Sequence, residues 1–247
     1  MDINADFAQP VFIKTQQLDW VPSPMAGVDR RMLDRVGDEV ARATSIVRYA
    51  ENSAFARHTH SGGEEFIVLD GVFSDEHGDY PAGTYVRNPV GTNHVPHSKD
   101  GCTIFVKLWQ FDPDDQEKVT LDLNGLVHTP DPLRAGVRTA MLADRDYEQV
   151  VSEQWDGNAA HRLSEAGGFE LLVIDGHIGV GGETYGRHDW IRLPGGGKAA
   201  DSAADNAADS AADNGVQITA GADGAHVWIK RGHLGQIRVP QAPPSAP

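Results

Sequence analysis

The chain has 247 residues, 40% of them hydrophobic, a formal net charge of −15 and a single cysteine, Cys102. That apolar content supports a packed core and excludes a chain disordered throughout, while the acidic balance argues against a nucleic-acid partner, which needs a basic face toward the phosphates. One cysteine excludes an intramolecular disulfide, no apolar run approaches the roughly 20 residues that span a bilayer, and MDINADFAQP lacks the basic and apolar regions of a secretory leader, so the expected setting is cytoplasmic, with no membrane partner.

In chain order, an N-terminal arm over 1–19 carries a strand candidate, Val11–Gln17. Trp20–Gly27 (WVPSPMAG) is turn-rich and extended. Met32–Ala50 alternates loosely and ends in the strand-like SIVRYA. Phe55–Gly71 (FARHTHSGGEEFIVLDG) reads as strand, turn, strand, with the glycines at the turn and an apolar EFIVL run after it. Ser74–Gly83 is a polar turn region, Thr84–Asn88 a short strand, and Cys102–Phe111 (CTIFVKLWQF) the best remaining strand of this half. No stretch holds a helical period with caps. Short strands at regular spacing with Gly/Pro turns predict an all-β sandwich or barrel.

The chemistry sits in the Phe55–Gly71 stretch. His58 and His60 are two residues apart, so on an extended segment both imidazoles point to one face. The turn at Gly62 and Gly63 can bring Glu64 back beside them, whereas Glu65 would face the other way. His94, just after a Pro-Val-Gly turn, can enter the same pocket from a neighbouring strand. Three imidazoles and a carboxylate form a mixed N/O set suited to a first-row divalent metal. An isolated histidine is more often only a polar residue; four ligands in register favour the metal. His97 reads as a turn residue and His77 as an exposed one. Cys102, opening an apolar strand, reads as an inert small hydrophobe rather than a redox sensor. Arg48, Tyr85 and Arg87 read as packing and surface salt-bridge residues. Parity alone leaves open whether Ile104, Val106 and Leu108 or Phe105, Lys107 and Trp109 face the site.

These residues carry a family resemblance. His58, His60, Glu64 and Gly71 match the first cupin motif, and Gly83, Pro89, Gly91 and His94 match the second at its spacing. The leading glycine of the first motif is absent, with Asn52 or Ser53 in that region. The wording of residues 20–115 resembles the cupin domain of ChrR-type anti-sigma factors and related cupin-only proteins. The resemblance implies a double-stranded β-helix, the cupin jelly roll, with a divalent metal on His58, His60, Glu64 and His94. Fe(II) and Zn(II) lead, and Mn(II) and Ni(II) also suit these ligands. Similar cupins cleave diketones and hydroxyacetophenones, which implies a non-haem dioxygenase acting on a small carbonyl compound. ChrR-type proteins use the unit in responding to oxidants and hold a sigma factor through a His-x-x-x-Cys-x-x-Cys zinc domain. That motif is missing here, so the alternative is a regulatory cupin without it. A metal-dependent binding module without catalysis is the third reading.

The chain also repeats itself. Gly62–Gly71 (GGEEFIVLDG) returns as Gly167–Gly176 (GGFELLVIDG), and Tyr85–Pro89 (YVRNP) as Trp190–Pro194 (WIRLP), both at an offset of 105. Gly101–Lys107 (GCTIFVK) returns as Gly224–Lys230 (GAHVWIK) at an offset of 123. Two cupin units in tandem are therefore expected: 20–115, a connection over 116–134, and 135–239, followed by a proline-rich tail, 240–247. The extra 18 residues of the second copy contain AADSAADNAADSAADN, 199–214, read as a solvated low-complexity loop rather than a calcium repeat. The second copy lacks the ligands: His58, His60 and Glu64 map to Leu163, Glu165 and Phe169, and neither His161 nor His188 is at a motif position. The expected partner is a small molecule, and a homodimer remains open.

Overall fold

The computed structural model describes residues 1–38, 40–195 and 215–239. The low-complexity segment 199–214, the tail 240–247 and most of the stretch where a counterpart of His94 would fall lie outside them. Among the described residues the only helical turns are two 3-10 pieces, Thr15–Gln17 and His233–Gly235, and none is long and apolar enough to cross a membrane. Everything else regular is strand, and the chain forms two cupin jelly rolls in tandem. The described residues form two compact units, one from within 1–5, 19–125 and 238–239, the other from within 6–18 and 126–237.

The first unit is built around the Glu64–Asp75 strand, which lies between Thr84–Asn88 and Cys102–Leu108. Ala41–Tyr49, Val28–Gly37 and Val21–Pro22 continue the sheet on one side. Val119–Asp122, inside the stretch expected to be a plain connection, closes the other side against Thr84–Asn88. The alternation of Glu64–Asp75 decides its packing. Phe66 and Val68 point into a core with Val47, Phe55, Phe73, Val86, Ile104 and Val106, each large side chain contributing about 2 kcal/mol by leaving water. Glu65 and Ile67 point the other way and are equally buried. There the Tyr85 hydroxyl donates to Glu65 at 2.5 Å and Arg87 pairs with Asp115 at 2.7 Å.

The second unit repeats this plan. Phe169–Val180 pairs with Trp190–Leu193 and Val216–Arg231, and Glu148–Trp155 and Val137–Arg145 follow. The copies share local detail as well. Gly71 and Gly176 both have positive φ, +71° and +73°, and a Cβ on either would press against a backbone carbonyl at 2.3 or 2.4 Å; only glycine fits. Asn52, standing where the motif has its glycine, has φ 56°, and its counterpart Asn158 has φ 61°, a conformation that asparagine tolerates better than most residues. Both copies also bulge at one leucine: the register slips between Met32 and Asp34, and again between Met141 and Ala143. One strand of the second unit comes from far away in sequence. Val11–Ile13 runs antiparallel to Trp190–Leu193, and the Thr15 amide donates to Asp189 at 2.8 Å.

Candidate metal centre

Four short pieces of the first unit place the four ligand candidates. His58 opens a two-residue strand whose antiparallel partner is Asn93–His94, so His94 stands directly across from His58. His60 follows two positions on. Its amide donates to Thr92 O at 2.8 Å, and its carbonyl accepts from Gly91 and Gly63. Glu64 is the first residue of the Glu64–Asp75 strand, with Asn88 and Leu108 as its cross-strand neighbours. One ligand atom from each of His58, His60, Glu64 and His94 falls within 4.8 Å of all the others. His58 is exposed and the other three are buried.

The hydrogen bonds fix which ring nitrogens carry protons. His58 Nδ1 lies 3.3 Å from the Ala56 carbonyl, which only accepts. His94 Nδ1 lies 3.2 Å from an Asp75 carboxylate oxygen. The Thr92 hydroxyl gives its own hydrogen to Pro89 O at 2.6 Å, so at 3.1 Å it accepts from His60 Nδ1. Each Nδ1 is therefore the donor, and each neutral ring keeps a bare lone pair on Nε2. Those three Nε2 atoms meet, with His60 Nε2 at 3.3 Å from His58 Nε2 and 3.2 Å from His94 Nε2. No proton lies between them, so without a cation the lone pairs repel. A divalent metal about 2.1 Å from each nitrogen would set neighbouring nitrogens about 3.0 Å apart at a right angle and about 3.4 Å apart at the tetrahedral angle. The observed spacing lies between these. Glu64 Oε2, at 3.4 Å from His60 Nε2 and 3.8 Å from His94 Nε2, adds the anionic donor. The residues fit a metal.

Burial favours the neutral form of His60 and His94. Burial, and then the neighbouring His58, push the His60 pKa down to about 4. Burial also lowers that of His94, outweighing the opposing pull of Glu64. A histidine must be unprotonated to bind a metal. Three supporting residues carry no motif signal: Asp75 on His94, Thr92 on His60, and Asn88, whose amide donates to Glu64 Oε2 at 3.1 Å. Asp75 is itself held by the His77 amide and the Tyr80 hydroxyl. Beyond His94, the Val95 amide donates to Glu76 at 2.7 Å.

Above the site lies a cavity of about 330 Å³, lined by His58, His60 and Glu64 together with Met25, Val28, Val47, Tyr49, Phe55, Val106, Leu108 and Trp109, and by Arg30 and Arg35. Such a volume suits a small molecule. Val106 and Leu108 therefore belong to the face toward the site, and Lys107 to the other, where it donates to Thr44 at 2.9 Å. Trp109 breaks the alternation: its φ is 61°, which turns the ring to the cavity. The ring passes so close to Gly62 that a Cβ there would lie 2.2 Å from it.

The remaining candidates fall elsewhere. Glu65 faces Tyr85 and Arg87, away from the histidines. His97 and His77 are exposed. Arg48 stacks on Trp20 and pairs with Asp29. Cys102 is buried in the core, and burial pushes its thiol up to about 11, so it stays protonated and unreactive at neutral pH.

In the second unit, the positions that line the first unit's cavity hold a different arrangement. Val227 pairs with Glu153 where Ile104 pairs with Val47, and Trp155 stands where Tyr49 does. Arg134 occupies the place of Met25, and Arg231 that of Leu108. Glu153, fully buried, accepts from Arg134 at 2.7 and 3.0 Å, from Arg231 at 2.6 Å and from the Trp155 indole at 2.9 Å. Leu163 and Phe169 are core residues. His161 donates to the Ala135 carbonyl instead. An ion-pair cluster thus fills the second unit at the positions where the first is open.

Residues 8–112 match the family model described as the ChrR Cupin-like domain. No curated protein sequence matches the chain. Among solved structures, a Nostoc punctiforme protein provisionally titled a dioxygenase superposes with a TM-score of 0.71 at 14% identity, over 96% of this chain and 88% of that one. A bacterial pirin from Escherichia coli in complex with nickel(II) gives 0.60 at 11%, over 90% and 98%. An oxalate decarboxylase from Lactobacillus farciminis in a formate complex gives 0.57 at 10%, over 92% and 87%. At such identities the likeness is one of fold, and it extends along nearly the whole chain.

Proposed function

We propose that His58, His60, Glu64 and His94 hold one divalent metal ion per chain, and that the cavity above it binds a small carbonyl compound for metal-dependent oxidation by dioxygen. One observation carries this reading: one ligand atom from each of three histidines and a carboxylate lies within 4.8 Å of the others, and three of these residues, His58, His60 and Glu64, line a mostly apolar, small-molecule-sized cavity. Iron(II) is the metal this chemistry asks for, and it would supply a redox-active centre with coordination positions left over from the four protein ligands. The chain's own contribution is to hold the rings in the metal-binding tautomer through Ala56 O, Thr92 and Asp75. It also orients Glu64 through Asn88 and surrounds the substrate with Val47, Phe55, Val106 and Trp109 in place of water. The structural resemblance to the Nostoc protein titled as a dioxygenase agrees with this, at the level of fold.

The match to the ChrR Cupin-like domain favours a second reading, in which the same metal site serves an oxidant- or metal-responsive regulator without turnover. One experiment separates the two. Metal content is measured by elemental analysis of the wild-type protein and of His60→Ala and His161→Ala, and oxygen uptake is followed after anaerobic Fe(II) loading with small diketones and aryl ketones. The expected result is one metal in wild type and His161→Ala and none in His60→Ala, with uptake that depends on the ketone. Equal loss of metal from both variants, or from neither, overturns the one-site assignment. Stoichiometric metal without uptake leaves the regulatory reading in place of the enzyme.

A further inference from the structure

Arg30 and Arg35 both line the metal cavity. On a regular strand, residues five apart face opposite sides of a sheet. These two share a side because the Val28–Gly37 strand bulges at Leu33: Arg30 pairs with Val47, the register slips, and Arg35 pairs with Ala43. Val47 and Ala43 are four apart on one strand and so lie on one face. The bulge re-aims Arg35, a common use of bulges beside sites. Two cations brought to one wall repel, and the neighbouring Arg30 helps hold the Arg35 pKa below its usual value, second to burial.

The two are unequally satisfied. Arg35 donates to the carbonyls of Gly37 and Asp38. Arg30 Nε is buried and has no hydrogen-bond partner. A desolvated donor on a cationic guanidinium is costly unless an acceptor meets it. Among the described lining residues Glu64 is the one carboxylate, and it stands with the histidines. Adding a divalent metal makes the cavity strongly positive inside a chain of net charge −15. The second unit supplies an internal comparison. It keeps the bulge, but the positions of Arg30 and Arg35 are Thr139 and Asp144, as read from the matching registers. The arginine pair is therefore present where the metal-ligand set is present and absent where that set is absent, while the buried scaffold pair Glu65 and Arg87 recurs as Glu170 and Arg192 at the common offset.

We propose that Arg30 and Arg35 form an anion subsite that holds the carboxylate of a small organic acid while its carbonyl or hydroxyl oxygen faces the metal. A carboxylate meets the planar fork of a guanidinium with two parallel hydrogen bonds, and the apolar wall of Val28, Phe55 and Leu108 suits the carbon skeleton of an organic acid, which inorganic phosphate lacks. The inference deepens the metal-site reading and rests on it.

The test uses the full chain loaded with Zn(II), which holds the site without turnover. Binding of phenylpyruvate, of its methyl ester and of inorganic phosphate is measured by calorimetry on wild type, Arg30→Gln, Arg30→Lys and Arg35→Gln, with metal content and melting temperature read on every sample. The expected result is that wild type binds phenylpyruvate at least about tenfold more tightly than the ester or phosphate. Arg30→Gln should lose that preference, with one metal still bound and the ester affinity unchanged, and Arg30→Lys should keep part of it. Equal affinity for acid and ester in wild type, no acid binding at all, or an undiminished preference in a folded Arg30→Gln overturns the subsite. Loss of metal in Arg30→Gln also overturns it, since Arg30 would then be supporting the ligands. A wild type that takes up no metal yet prefers the acid through Arg30 keeps the subsite and removes the metal reading.

Discussion

At the scale of single residues, the site is a matter of where protons are. Three carbonyl, hydroxyl and carboxylate oxygens each take one Nδ1 proton, and what remains is a set of lone pairs aimed at a common point. Asp75 matters most among these acceptors because it is charged and because its other oxygen, Oδ1, is held by the His77 amide and the Tyr80 hydroxyl. Asp75→Asn keeps an acceptor but removes the charge that makes His94 a better donor to a cation. It should weaken metal affinity by about 10- to 100-fold, measured by competition with a chelating dye, with little change in melting temperature of the metal-free protein. An unchanged affinity would show that Asp75 serves only the loop. The four ligand candidates were legible in the sequence because His58 and His60 are related by strand parity, and Glu64 by a two-glycine turn. Asp75, Asn88 and Thr92 were not legible. Their roles arise from partners 19, 24 and 32 positions away, and an Asp, an Asn and a Thr in turn-rich stretches look like ordinary turn residues.

At the scale of strands, the two halves show what a duplicated scaffold keeps and what it lets go. Both keep the glycine at positive φ, the asparagine before the motif strand and the bulge at one leucine, since these are demands of the backbone. The interior is free to differ, and in the second half Glu153 between Arg134 and Arg231 takes the room of the cavity. Removing the acid leaves Arg134 paired with Asp131 alone and Arg231 with only the longer contact to Glu165, at 3.6 Å, and leaves the Trp155 indole without its acceptor. Glu153→Ala should cost about 3–5 kcal/mol, seen in urea unfolding, and leave metal content untouched; a loss below about 1 kcal/mol would show that water already satisfies the arginines. The unbroken apolar runs in EFIVL and LLVI, each bounded by glycines, made both central strands readable. Which face of Cys102–Leu108 meets the site was undecidable from parity, because both of its faces are buried. The turning of Trp109 was equally hidden, since it depends on a positive φ that a tryptophan rarely adopts.

At the scale of the whole molecule, neither unit is one continuous piece of chain. Residues 6–18 belong with the described part of 126–237, and along the chain most of the first unit lies between these two pieces. Residues 1–19 read as an arm, and nothing in VFIKTQQ names a partner strand 177 to 181 positions on. Deleting residues 1–18 should strip the Trp190–Leu193 strand of one neighbour, so the second unit should melt earlier and the chain should associate through the exposed edge; an unaltered, monodisperse protein would show the edge to be protected otherwise. The same order along the chain sets a schedule during synthesis. The first strand of the second unit leaves the ribosome early and must wait, unpaired, while more than a hundred further residues are made and the first unit closes. At the roughly 5–20 residues per second of translation, that wait lasts on the order of ten seconds or more. Until Trp190–Leu193 emerges, the waiting strand can be claimed by any other nascent copy that has already exposed the matching edge. Crowded polysomes are thus where this protein is most at risk of exchanging strands between chains.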